Sequence, residues 1–151
     1  MRTFLTSLLL VGLLAASGAA AAADPIMGTW KLNAAKSKMS ADNMLKSQTR
    51  VYSQSGDSIS VVITSVAADG KESTTKATYK LDGKDYPATG APAYDGLSAK
   101  QVDANTAEFT LKKGGKAVGT TTRTVAKDGK TMTSTGTVGG KDQGTLVFDK
   151  Q

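Results

Sequence analysis

The sequence predicts an all-β protein, an antiparallel up-and-down meander of about ten strands closed into a barrel. A short helix or lid is expected after the first strand. Two observations carry this. Turn signals centred on glycine recur through residues 24–151, and the runs between them alternate apolar and polar side chains with period two. A third bounds the chemistry. The 151-residue chain has no Cys and no His, which excludes disulfides, the usual Cys/His zinc sites and any nucleophile–His pair.

Residues 1–23 read as a secretory signal peptide, outside the fold. Arg2 supplies the positive charge, and Phe4–Leu14 an apolar stretch of 11 residues interrupted by Thr6, Ser7 and Gly12. Ala21-Ala22-Ala23 places small residues ahead of Asp24-Pro25. The stretch is shorter than the roughly 20 residues that a spanning helix needs. With no Cys after it, lipidation is excluded. The expected product is a single domain, residues 24–151, exported to the periplasm or the medium. Its 18 basic and 13 acidic residues give a net charge of +5. A chain of this size buries roughly two-thirds of its unfolded surface, enough for one core.

The elements follow in order. The first strand spans residues 28–33. The connector 34–46 carries Ala, Met and Lys, with helix caps at Ser40 and Asp42. A second strand covers 47–55. The third, 58–67, is the most continuously apolar and is expected to be the best buried. In 72–81, Ala77, Tyr79 and Leu81 oppose Thr74, Lys76, Thr78 and Lys80. The next, 84–88, contains Pro87, which suits only an edge or an end. An irregular loop, Ala88–Asp95, leads to the strand 96–103. In 106–113, Ala107, Phe109 and Leu111 share one face. The strands 116–126 and 131–138 are mostly Thr, so their faces stay unassigned; 143–149 is the last. Asp-Gly and Gly-Gly pairs between strands suit type I′ turns, whose two central residues take positive φ.

An open meander leaves two unpaired edges, and closure removes both; a Greek-key sandwich is the alternative. An outer-membrane barrel is disfavoured, since it needs an apolar outer band and aromatic girdles. These strands carry Lys outward, and residues 24–151 include seven aromatics. Alternating hairpins put the connector 34–46 and the turns near 70, 92, 115 and 140 at one end. The turns near 56, 83, 104 and 129 fall at the other. Both long connections therefore share one end, the expected mouth. Lys71, Lys116 and Lys141 follow Gly at that end, and Lys84 and Lys130 at the other, so the basic charge is dispersed.

Gly28-Thr29-Trp30-Lys31-Leu32 resembles the first-strand Gly-x-Trp signature of the calycin group, the lipocalins and fatty-acid-binding proteins. Three further segments, Asn33 with Ala35-Lys36-Ser37-Lys38, Asp82–Gly90, and Thr122–Val125 with Lys127–Thr131, extend the likeness across most of residues 24–151. They resemble small exported bacterial lipocalin-like proteins. The resemblance implies a ten-strand barrel with a lid after strand one. It departs from fatty-acid-binding proteins on the last strand, where Leu146 and Phe148 stand in place of that family's carboxylate-holding Arg-x-Tyr pair. That clamp does not carry over.

The candidate ligand-binding residues are Arg50, Tyr52, Tyr79, Tyr86, Tyr94 and Arg123. Arg50 and Arg123 are the two arginines after residue 23, and a planar guanidinium suits a carboxylate or an aromatic face. Arg50 and Tyr52 share a strand face. They either grip an anionic ligand inside the barrel, or form an outward pair, or leave Arg50 packed across Trp30 to close the base. Tyr79 lies on an apolar strand face. Tyr86 and Tyr94 flank the Pro- and Gly-containing loop and offer a ring with a polar tip for a pocket rim. Trp30 reads as a structural plug, and Met39 and Met44 as an apolar lid.

No catalytic residue, metal ligand or cofactor is assigned. Most carboxylates sit in turns, and only Glu72 and Glu108 lie within strands. No phosphate-loop context occurs. Dispersed Lys without interleaved aromatics argues against nucleic acid. The expected protein is a non-enzymatic monomeric carrier or binding protein, without a membrane span, holding a small apolar or amphiphilic molecule in the barrel. The alternative is a filled barrel acting through its surface as an inhibitor or envelope interaction protein.

Overall fold

A computed structural model describes residues 24–151; the expected signal peptide, residues 1–23, lies outside the described residues. The strands are β1 (Gly28–Leu32), β2 (Lys38–Met39), β3 (Leu45–Ser55), β4 (Ser58–Ala67), β5 (Glu72–Tyr79), β6 (Asp82–Thr89), β7 (Gly96–Asp103), β8 (Thr106–Lys113), β9 (Lys116–Val125), β10 (Thr131–Val138) and β11 (Lys141–Lys150). All ten expected strands are present, and β2 is an addition. From β3 to β11 each strand pairs antiparallel with the next; β1 pairs with β3 and with β11 to close the barrel, and β2 pairs with β11 alone. The closure excludes the sandwich.

The first expected strand is followed by a kink at 33–37, after which β2 continues in the same direction along β11 at Met39↔Gly144. Ser37 Oγ donates to the Asn33 carbonyl at 2.7 Å and accepts from Val147 N at 2.9 Å, which holds the kink. The helix expected in the connector shrinks to one 3₁₀ turn, Ala41–Asn43. Ser40 does not cap it; its hydroxyl bonds the Asp142 carbonyl instead.

The turns divide by composition. Gly114-Gly115 and Gly139-Gly140 have positive φ at both positions, as type I′ requires. The Asp-Gly turns do not, because no described non-Gly residue has positive φ. There the Asp side chain takes over, accepting from the backbone N two residues on: Asp69 from Lys71, Asp82 from Lys84, Asp128 from Lys130.

The inward faces form one core, with Trp30, Met132 and Phe148 at 0% exposure. β4, expected to be the best-buried strand, is not: it has two buried residues against three in β3 and three in β5. Ile59 and Val61 point in, whereas Val62 is 36% exposed beside its cross-strand partner Val51. A single-sheet barrel has one inside, so a continuous apolar run must spend half its residues on water. Trp30 plugs the base. Its Nε1 donates to the Ile26 carbonyl at 2.7 Å, and Ile26 is fully buried beneath it. The cation over the Trp30 ring is Lys150, not Arg50.

β6 is an edge in part. It pairs with β5 only at Lys76↔Thr89 and Ala77↔Ala88, while its 85–87 stretch pairs with β7. Pro87 therefore sits where no neighbour on the β5 side needs its missing N–H. The connector and the 88–95 loop do share one end: residues 42, 43 and 45 and residues 91–94 line the same recess. Among the described residues no helix is long and apolar enough to cross a membrane.

Candidate functional site

Period-two alternation delivers the interior. On β3 it turns Gln48, Arg50 and Tyr52 inward, and on β5 Thr75, Ala77 and Tyr79. On the Thr-rich β9 and β10, whose faces composition leaves open, Arg123 with Val125 and Met132 with Ser134 are the inward pairs. These side chains do not fill the barrel. A cavity of about 90 Å³ remains, lined by Arg50, Tyr52, Ala77, Tyr79, Tyr94 and Arg123 among others. Above it a recess of about 340 Å³ opens at the mouth end between the connector and the 88–95 loop. Arg50, Ile63, Thr75, Tyr94, Val138 and Gln143 line both, so the two adjoin across a shared wall.

Two guanidinium groups dominate the electrostatics. Arg123 is 4% exposed. Its Nη1 donates to the Tyr79 hydroxyl at 2.9 Å, and its central carbon lies 5.2 Å from the Tyr52 ring centre and 5.1 Å from that of Phe109. Its Nε is buried with no hydrogen-bond partner among the described residues. Arg50 lies 4.5 Å above the Phe148 ring and donates from Nε to Gln48 Oε1 at 2.8 Å. Gln48 in turn donates to Ser65 Oγ at 2.8 Å. Both cations are thus balanced by neutral oxygens and ring faces. The buried polar residues are Gln48, Arg50, Thr75, Arg123, Ser134 and Gln143, with no carboxylate among them.

Burial pushes the Tyr79 phenol well above its ordinary range, so Tyr79 stays neutral and keeps an O–H to donate. Burial raises Tyr94 likewise. Arg123 stays charged, because a guanidinium is not deprotonated in proteins.

Five of the six candidate residues line the cavity: Arg50, Tyr52, Tyr79, Tyr94 and Arg123. Tyr86 does not. It stands where β5 and β6 diverge, its hydroxyl donating to Asp82 Oδ2 at 2.7 Å. That bond pushes its phenol up to about 12 and lowers the Asp82 carboxyl. The signal for Gln48 was present, since it precedes Arg50 and Tyr52 at period two. Gln143 is concealed by the register shift where β10 meets β11, and Ser134 by its Thr-rich strand. Glu72 and Glu108 are both exposed, on β5 and β8, and do not converge.

The barrel is similar to a solved structure described as a REP1-NXSQ fatty acid transporter. The TM-score is 0.59 at 17% identity, over 85% of this chain and 98% of that one. A redesigned β-barrel, mFAP1, bound to DFHBI is similar at a TM-score of 0.47 and 13% identity, over 83% of this chain and 95% of that one. No family model and no curated protein matches the chain. At 17% identity the first likeness establishes the barrel fold.

Proposed function

We propose that this protein is a carrier or binding protein that holds a small, partly apolar molecule inside the barrel. The carrying observation is the unfilled interior, adjoining a recess at the one end where both long connections meet. Apolar walls supply affinity, and the few interior polar groups set orientation. The shared fold with a chain described as a fatty acid transporter supports the same reading. We propose further that residues 1–23 direct export to the periplasm or medium, that the protein acts as a monomer, and that it performs no catalysis. N-terminal sequencing of the exported protein, expected to begin at Asp24, tests the first of these.

The direct test of carriage titrates toluene, a small neutral apolar probe, into the ¹⁵N-labelled protein. Saturable shifts at the amides of Val61, Ala77, Leu97 and Leu111 are expected. No movement at those positions would end the carrier reading and leave a barrel that acts through its surface, as an inhibitor or envelope partner.

A further inference from the structure

We propose that the recess at the mouth takes a planar aromatic molecule carrying a hydroxyl, its ring stacked on the uncovered face of the Arg50 guanidinium. This rests on the carrier reading and deepens it, by naming the chamber and the class of guest.

The two interior arginines differ in what covers them. A guanidinium is flat, so its faces attract aromatic rings while its edge donates hydrogen bonds. Arg123 stands against two rings, those of Tyr52 and Phe109, at 5.2 and 5.1 Å from its central carbon. Arg50 has one, Phe148, at 4.5 Å. Among the described residues no second ring lies over it. Arg50 nevertheless borders open space, in the cavity and in the recess alike. The protein supplies one half of a sandwich and leaves room for the other.

The plane is fixed in advance. Arg50 Nε donates to Gln48 Oε1, and Gln48 Nε2 donates to Ser65 Oγ, both at 2.8 Å. This chain steadies the guanidinium against the Phe148 ring. Arg50 is also buried, so little water competes for its face, and a contact between a cation and a ring is stronger when desolvated.

Size and lining select the guest. The recess holds about 340 Å³. That falls within the roughly 300–1,000 Å³ of ligand pockets and is more than twice the roughly 150 Å³ that admits benzene, so two fused rings fit. Leu45, Ala67, Ala91, Pro92, Ala93 and Leu146 make its walls mainly apolar. Gln143 shares the wall with Arg50 and supplies orientation. It is buried, donates from Nε2 to Ser134 Oγ at 3.2 Å, and keeps its Oε1 to accept from a ring hydroxyl. Stacking acts through the face of the cation, so the guest needs no charge of its own.

The test titrates 2-naphthol and decahydro-2-naphthol into the full ¹⁵N-labelled protein at neutral pH, where both are uncharged. The two share a skeleton and a hydroxyl, and the saturated one has the larger apolar surface, so burial alone favours it. The expected order is the reverse. 2-Naphthol should bind at least about fivefold more tightly, shift the Arg50 Nε–H upfield through its ring current, and move the amides of Ala91 and Ala93. R50K keeps the charge without the plane and should erase the preference. Ala91→Leu, which narrows the recess from the 88–95 loop, should abolish binding of both, and with the wild-type Nε–H shift it keeps the proposal testable if R50K fails to fold. Equal or tighter binding of the saturated ring would overturn it. So would a 2-naphthol complex whose Arg50 Nε–H stays in place, an Ala91→Leu protein that binds both unchanged, or an R50K protein that folds and keeps the preference. Should toluene move the Val61 and Ala77 amides while 2-naphthol leaves Arg50 and the recess unmoved, the carrier reading survives and this one falls; if neither probe moves any of them, both fall.

Discussion

Arg123 on β9 donates to the hydroxyl of Tyr79 on β5 at 2.9 Å, linking strands that are four apart around the barrel. The pair ties two walls together through the interior, where a hydrogen bond to a charge is strengthened by the low dielectric. It also fixes the guanidinium over the Tyr52 and Phe109 rings, with Tyr79 and Phe109 themselves meeting edge to face at 5.5 Å. The same contact is a brace and part of the cavity wall.

Tyr79→Phe removes the acceptor and leaves a buried charge poorly satisfied. It should destabilise the fold by about 1.5–3 kcal/mol, read as a lower urea midpoint. Pairing it with Arg123→Met should recover much of that loss, since an apolar pair of similar volume relieves the desolvation penalty. A double variant no more stable than Tyr79→Phe would show that the bond is not the brace.

Trp30→Ala should cost about 3–5 kcal/mol, because it empties the base of the barrel and orphans the Ile26 carbonyl. Trp30→Phe keeps most of the volume and should cost less. Similar losses for the two would place the burden on the indole hydrogen bond, not on packing.

The Asp82–Tyr86 bond should be visible in titration. Tyr86, raised by Asp82, should show a phenolate absorbance step near 12 that disappears in Tyr86→Phe. A phenol raised in the folded state stabilises it fully below its unfolded value and loses that contribution as pH climbs through about 12. Asp82 has the opposite sign: lowered by the Tyr86 bond, it stabilises above its unfolded value and loses this as pH falls through the depressed one. Tyr86→Phe should therefore be less stable than the wild type at neutral pH, with the gap closing as pH falls through the depressed Asp82 value.

Gly144 has φ +72, and a Cβ there would lie 2.2 Å from the Lys38 carbonyl oxygen on β2. Gly140 has a similar φ, +79, with open space around it. Gly140→Ala should thus cost only the left-handed backbone penalty, about 1 kcal/mol. Gly144→Ala should cost more and release β2 from β11, seen as faster amide exchange at residues 38–40. Equal costs would mean that β2 contributes nothing to the closed barrel.

Ten strands and the end at which both long connections meet are legible in the chain, because alternation and turn chemistry are local properties. So is the shared face of Arg50 and Tyr52. The kink at 33–37 is not, since Ser37 finds its partner 110 residues away at Val147. Nor is the inward face of β9, where uniform threonine leaves the period-two signal mute until neighbouring strands choose the side for Arg123. Tyr86 belongs with these: its strand face agrees with the interior, but β5 and β6 separate there and its hydroxyl meets Asp82. The sequence by itself determined a β meander carrying two arginines, because hydrophobic period and turn chemistry act over a few residues. Only the tertiary structure decided that both arginines face one cavity and how little space stays open, because those depend on which distant side chains meet once the last strand pairs with the first.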